Sequence, residues 1–122
     1  MNKILIIEDE DILAEMYESR LKKEKFKVKR AKNSEIGFKI IKEDRPDLIL
    51  LDLLLPKIDG METLKILKNK EKTKDIPIFI LTNYDTPEER KQASSLGAEK
   101  YILKTSITLD GLTEIVKKKF EK

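Results

Sequence analysis

Residues 46–60 read PDLILLDLLLPKIDG. Four apolar residues, Leu48 to Leu51, run into a single acid, Asp52, and three more leucines follow it. A run this short, apolar on both of its alternating faces, suits a strand covered on both sides, as the central strands of a parallel sheet are. An acid at the end of such a strand is nearly buried, and a buried charge is costly without a partner. The rest of the chain has to supply that partner. Asp59-Gly60 closes the stretch and reads as a turn.

Outward from this segment the pattern repeats. Further β-prone runs are Lys3–Glu8 (KILIIE), Phe26–Ala31 (FKVKRA), Ile78–Thr82 (IFILT) and the short Tyr101–Leu103. Between them lie segments with a period near 3.6. Leu13, Tyr17 and Leu21 form one helical face, joined by Ile12 and Met16. Ile36, Ile40 and Ile41 mark a second helix, and Met61, Leu64 and Leu67 a third. Leu109, Leu112, Val116 and Phe120 mark the last, with Ile115 beside them. The fourth helix is read from its ends: Thr86-Pro87-Glu88-Glu89 is a capping box with Pro at the first helical position, and Gly97 is a stop. Its apolar face is only Ala93 and Leu96, so it is expected to be the weakly anchored, moving element. Strictly alternating strands and helices call for an α/β fold with a parallel sheet covered on both faces. Runs one, three and four are apolar throughout and belong in the centre. Run two alternates, as an edge strand does. That pattern predicts the flavodoxin-like, doubly wound (βα)5 order 2-1-3-4-5, with residues 1–122 as one domain.

Ligands of such sheets sit at the carboxyl ends of the strands. Strand one ends in Glu8-Asp9-Glu10, strand three in Asp52, strand four in Thr82 and strand five in Leu103-Lys104. Strand two ends in Ala31-Lys32-Asn33 and offers nothing obvious. Glu10 reads as a helix-start acid. Clustered carboxylates repel unless a cation neutralises them. The chain has neither His nor Cys, so an oxygen-only site points to a hard ion, expected to be Mg²⁺. Asp52 beside that ion can act as a nucleophile toward phosphorus. Mg²⁺, the Lys104 ammonium and the Thr82 hydroxyl are suited to the three equatorial oxygens of a transferred phosphoryl group.

The same absences exclude disulfides, thiolate metal sites and His-based catalysis. Charge is plentiful, at 26 basic and 23 acidic residues, but nearly balanced and spread along the chain, so direct nucleic-acid binding is not expected. No apolar run approaches the ~20 residues that span a membrane. The N-terminus enters a strand with no signal-peptide pattern, and a cytoplasmic protein without membrane contact is expected.

Glu8-Asp9 after ILII, Asp52 within PDLILLDLLLPKIDG, Thr82 within IPIFILTN and Lys104 within GAEKYILK together resemble the motif set of response-regulator receiver domains, over essentially the whole chain. The resemblance implies a phosphorelay switch rather than an enzyme. Asp52 is then the phosphoacceptor, served by a sensor histidine kinase or a histidine phosphotransfer protein. Asp9, Asp52 and the Leu54 carbonyl bind Mg²⁺, with Glu8 acting through a water. Lys104 holds the phosphoryl group, Thr82 turns toward it, and Tyr101 swings inward behind it. The surface of the fourth helix, fifth strand and fifth helix changes for an output protein, and the domain is a monomer or a phosphorylation-linked dimer. Plainer readings stand beside these: strand-end acids for Glu8 and Asp9, a surface lysine for Lys104, strand-forming residues for Thr82 and Tyr101.

The chain departs from the family at two positions. Pro, joined by a cis peptide, commonly follows the active-site Lys; here Thr105 does. A cis bond before a non-proline residue costs about 2.5–4 kcal/mol, so either the fold imposes it or this loop runs differently. A small residue commonly follows the switch Thr; here Asn83 does. In that family the side chains at the positions of Leu54 and Tyr84 flank the path of an attacking water; neither side chain here suits orienting one, so slow hydrolysis is expected. The rivals are a phosphorylation-independent binding module on the same fold and an ordinary flavodoxin-like enzyme or nucleotide binder. The first βα turn is acidic rather than Gly-rich, which argues against the second rival.

Overall fold

The computed structural model describes residues 1–121. Strands β1 (Lys3–Ile7), β2 (Lys27–Ala31), β3 (Leu48–Leu51), β4 (Ile78–Thr82) and β5 (Lys100–Leu103) alternate with helices α1 (Asp11–Lys23), α2 (Ser34–Glu43), α3 (Gly60–Lys68), α4 (Pro87–Ser95) and α5 (Leu109–Lys119). All strands are parallel, in the order β2-β1-β3-β4-β5. The alternation of side chains along the strands divides the core in two. Leu5, Ile7, Ile49, Leu51, Ile78 and Ile80 face one way, against Ile41 of α2, Leu64 and Leu67 of α3 and Ala93 of α4. Ile4, Ile6, Leu48, Leu50, Phe79 and Leu81 face the other way, against Tyr17 and Leu21 of α1 and Leu112 and Val116 of α5.

The helix faces differ in part from the sequence reading. On α1 the buried residues are Ala14, Tyr17 and Leu21, whereas Ile12 is 83% exposed and Met16 is exposed as well. On α2, Ile41 is buried but Ile36 is exposed, and the buried places near its start go to Ser34 and Gly37. A Cβ on Gly37 would press into the Ile7 side chain, so this helix lies too close to the sheet for a larger residue. The Ser34 hydroxyl meets that of Thr63 on α3 at 2.5 Å, which satisfies both buried groups.

Helix α4 buries Ala93 alone. Its Thr86 hydroxyl accepts from the Glu89 N–H at 3.1 Å, as the capping box requires. It ends at Gly97, whose φ of 106° is in the left-handed region that glycine occupies without strain. After β5 the chain makes a 3-10 turn over Lys104–Ser106. There is no cis peptide among the described residues. The Lys104–Thr105 bond is trans, which settles the question raised by the missing proline in favour of a loop with its own course.

Candidate functional site

The carboxyl ends of β1, β3 and β5 meet at Lys104. Its side chain is 6% exposed, and its Nζ donates to Asp52 Oδ2 at 2.9 Å. The same ammonium lies 2.5 Å from Glu8 Oε1 and 3.3 Å from Glu10 Oε2. Asp52 follows the last residue of β3 and is buried, and its backbone N–H bonds to the Ile7 carbonyl of the neighbouring strand at 3.1 Å. Its second oxygen, Oδ1, accepts from the Leu54 N–H at 3.1 Å. Both carboxylate oxygens therefore have a donor, as a buried acid requires.

Asp59 and Gly60 do more than turn the chain. Asp59 caps α3 through the Glu62 N–H at 2.9 Å. Gly60 packs directly on the backbone of Asp52 and Leu53, where a Cβ would collide with the Asp52 carbonyl. Its N–H donates to the Leu53 carbonyl at 2.9 Å. The start of α3 thus fixes the loop that carries Asp52.

Glu10 also differs from its reading as a helix-start acid. It occupies the N-cap of α1 without making a side-chain cap, and its carboxylate turns to Lys104 instead. Glu8, Glu10 and Asp52 can offer oxygens that lie within 4.8 Å of one another. Asp9 is exposed and, with Glu10, Asp52, Leu54, Asn83 and Lys104, lines a cavity of about 220 Å³. At the end of β4 the lining residue is Asn83. Thr82 itself is fully buried, and its hydroxyl accepts from the Tyr84 N–H at 3.3 Å. Tyr101 is half-buried. Its hydroxyl donates to the Tyr84 carbonyl at 2.8 Å, and the Arg90 guanidinium stacks 4.8 Å from its ring centre. Leu54 and Tyr84 are both exposed. Leu54 stands in the wall of this cavity, and Tyr84 lines, with Leu54, a separate cavity of about 380 Å³ beside α3 and α4.

The edge strand contributes after all. Arg30 of β2 donates from Nε to the Glu8 carbonyl at 2.9 Å. A basic residue in the outer strand, next to an acidic loop, was the signal for it. For Glu10 the signal was its unsuitability as a cap, since Ser, Thr, Asp and Asn are the residues that cap well.

The electrostatics follow from three carboxylates sharing one ammonium. Burial pushes the Glu8 carboxyl up to about 6; the Lys104 ammonium pulls against that shift and the Asp52 charge adds to it. Burial draws the Lys104 ammonium down, but Glu8 and Asp52 outweigh it and hold the group above its ordinary value. An excess of negative charge in a largely buried, all-oxygen donor set fits a hard divalent cation.

The response regulator receiver domain model matches residues 4–117. RpaA of Synechocystis, described as a DNA-binding dual master transcriptional regulator, is 34% identical over 104 residues, or 85% of this chain. The chain covers only 43% of that relative's length. The signal receiver domain of a DNA-binding response regulator (merR) from Colwellia psychrerythraea superposes with a TM-score of 0.91 at 27% identity, over 100% of both chains. The Mn²⁺-bound form of response regulator Rcp1 superposes with a TM-score of 0.83 at 27% identity, over 97% of this chain and 91% of that one. The family match runs from β1 into α5 and takes in every polar group described above, so the chain belongs to the response regulator receiver domain family, the regulatory switch modules of two-component systems.

Proposed function

We propose that this domain accepts a phosphoryl group on Asp52 from a sensor histidine kinase or a histidine phosphotransfer protein, with Mg²⁺ bound beside it. The observation that carries the reading is the setting of Asp52: buried at a strand end, fixed by the Leu54 N–H, paired with Lys104, and in the wall of an acidic cavity. Asp9, Asp52 and the Leu54 carbonyl would hold the cation, with Glu8 acting through water. When bound, the ion offsets charge on the phosphoryl oxygens and orients them. The Mn²⁺ form of the relative Rcp1 supports a divalent cation here. An Asp52 carboxylate oxygen attacks phosphorus. A P–O bond forms as the donor's P–N bond breaks, and the imidazole nitrogen leaves with the electron pair. Lys104, already on Asp52, takes one phosphoryl oxygen.

Transmission runs through Tyr84. When the Thr82 hydroxyl turns to the phosphoryl group it releases the Tyr84 N–H, while the Tyr84 carbonyl holds the Tyr101 hydroxyl. One backbone segment joins the pocket to Tyr101, and the switch biases two conformations of the α4–β5–α5 surface that an output protein reads. Residues 1–122 act as one domain in the cytoplasm, as a monomer or a phosphorylation-linked dimer, without contacting nucleic acid directly. None of the described helices is long and apolar enough to cross a membrane. Thr105 and Asn83 leave Lys104 on Asp52, so the phosphorylation-independent module gains no observation in its favour.

Incubation with Mg²⁺ and acetyl phosphate, read by intact mass, tests the chemistry. One phosphoryl group is expected on the wild type, and none on Asp52→Asn or in the presence of EDTA. Folded protein that accepts nothing from several small donors and from a cognate kinase overturns the proposal.

A further inference from the structure

Arg30 has no part in the chemistry described so far, yet it touches the acidic loop twice. It stands opposite Ile6 in the β1–β2 register, and its side chain is 19% exposed. Nε donates to the Glu8 carbonyl at 2.9 Å. Nη2 lies 2.8 Å from Asp11 Oδ1, but the atom is buried and makes no properly aligned hydrogen bond, so the second contact is an ion contact. These two anchors bracket Asp9 and Glu10, which are both exposed. The start of α1 needs such an anchor, because Glu10 occupies the N-cap without capping it.

We infer that Arg30 is a positioning residue for the cation site: its guanidinium ties the Glu8 carbonyl to Asp11 and so holds the Asp9–Glu10 segment in the geometry that binds a divalent ion. The inference rests on the reading of the acidic pocket as a cation site. Outer residues that orient ligands commonly change metal affinity about 10–100-fold when removed. The sign of the effect separates positioning from a bystander charge. A guanidinium near a cation site repels the cation, so removing it as a mere charge strengthens binding. Removing it as a clamp weakens binding.

Calorimetric Mg²⁺ titration of wild type, Arg30→Met and Arg30→Lys decides between these, with ¹⁵N relaxation of Asp9 and Glu10 measured on the metal-free proteins. Arg30→Met is expected to bind Mg²⁺ about tenfold more weakly, with both loop amides more mobile. Arg30→Lys keeps the charge but reaches only one anchor, and is expected to fall between the two. Equal or tighter binding by Arg30→Met overturns the inference. If Arg30→Met does not fold, Arg30→Lys carries the comparison, and wild-type affinity in it overturns the inference. If the wild type binds no cation, the reading of the pocket fails. The clamp is then judged by relaxation alone, and unchanged mobility of Asp9 and Glu10 in the variants overturns it.

Discussion

Glu8 shows what the pocket does to a single residue. Its folded pKa of about 6 lies above the ordinary 4.5, because burial disfavours its charge and Asp52 repels it. A carboxyl with a raised folded pKa contributes stability that is fully present below about pH 4.5 and lost as pH rises through about 6. Metal-free wild type is therefore expected to lose on the order of 2 kcal/mol relative to Glu8→Gln between pH 4.5 and 7, measured by urea unfolding at each pH. At Gly60, Ala places a methyl against the backbone that carries Asp52. Gly60→Ala is expected to destabilise by about 1–3 kcal/mol in urea unfolding and to reduce phosphorylation of Asp52 together with stability. Leu54, in the wall of the cavity, has an apolar side chain that does not suit orienting a water, and nor does the exposed ring of Tyr84. Phosphorylated Leu54→Asn, Tyr84→Glu is expected to decay several-fold faster than the wild type when loss of the acyl-phosphate is followed by mass. Equal or slower decay removes the case for a screened site. Asp52 and Lys104 were legible as residues because each sits where its strand ends, and a charge there needs a reason. For Glu10 and Arg30 the sequence carried only weak signals, because their contacts depend on where a rotamer points and on an approach across strands.

Among the helices, α4 stands apart. It buries one alanine, whereas α1, α2, α3 and α5 each bury three or four residues. Stability held by so little packing is local and low. Amide exchange in α4 is expected to be the fastest of the five helices, and Thr86→Ala, which removes its cap, is expected to speed it further at a loss of about 1 kcal/mol. Exchange in α4 as slow as in α5 contradicts the expectation that it is the moving element. The capping box and Gly97 made this helix readable from its ends. The faces of α1 and α2 were harder. Periodicity ranks residues by hydrophobicity, but close approach to the sheet selects small ones, so Ala14, Ser34 and Gly37 are buried while Ile12, Met16 and Ile36 are left to solvent.

Across the whole molecule, the topology assembles the site. The order β2-β1-β3-β4-β5 sets the ends of β1, β3 and β4 side by side, and Lys104 reaches back from β5 across that row to Asp52. That arrangement was readable because the three apolar runs had to be central and the alternating run had to be an edge. What the strand pattern could not show was the placement of Tyr84, whose two backbone groups bind Thr82 and Tyr101. In the proposed switch, occupancy of Asp52 changes the pocket, Tyr84 and Tyr101 together. Its most direct test is a ¹H–¹⁵N NMR comparison of the domain with beryllofluoride, with and without Mg²⁺. A Mg²⁺-dependent second set of signals spanning Asp52, Tyr84, Tyr101 and α4, absent in Asp52→Asn, is expected. Spectra that do not change, or changes confined to the loop after β3, contradict the proposed switch.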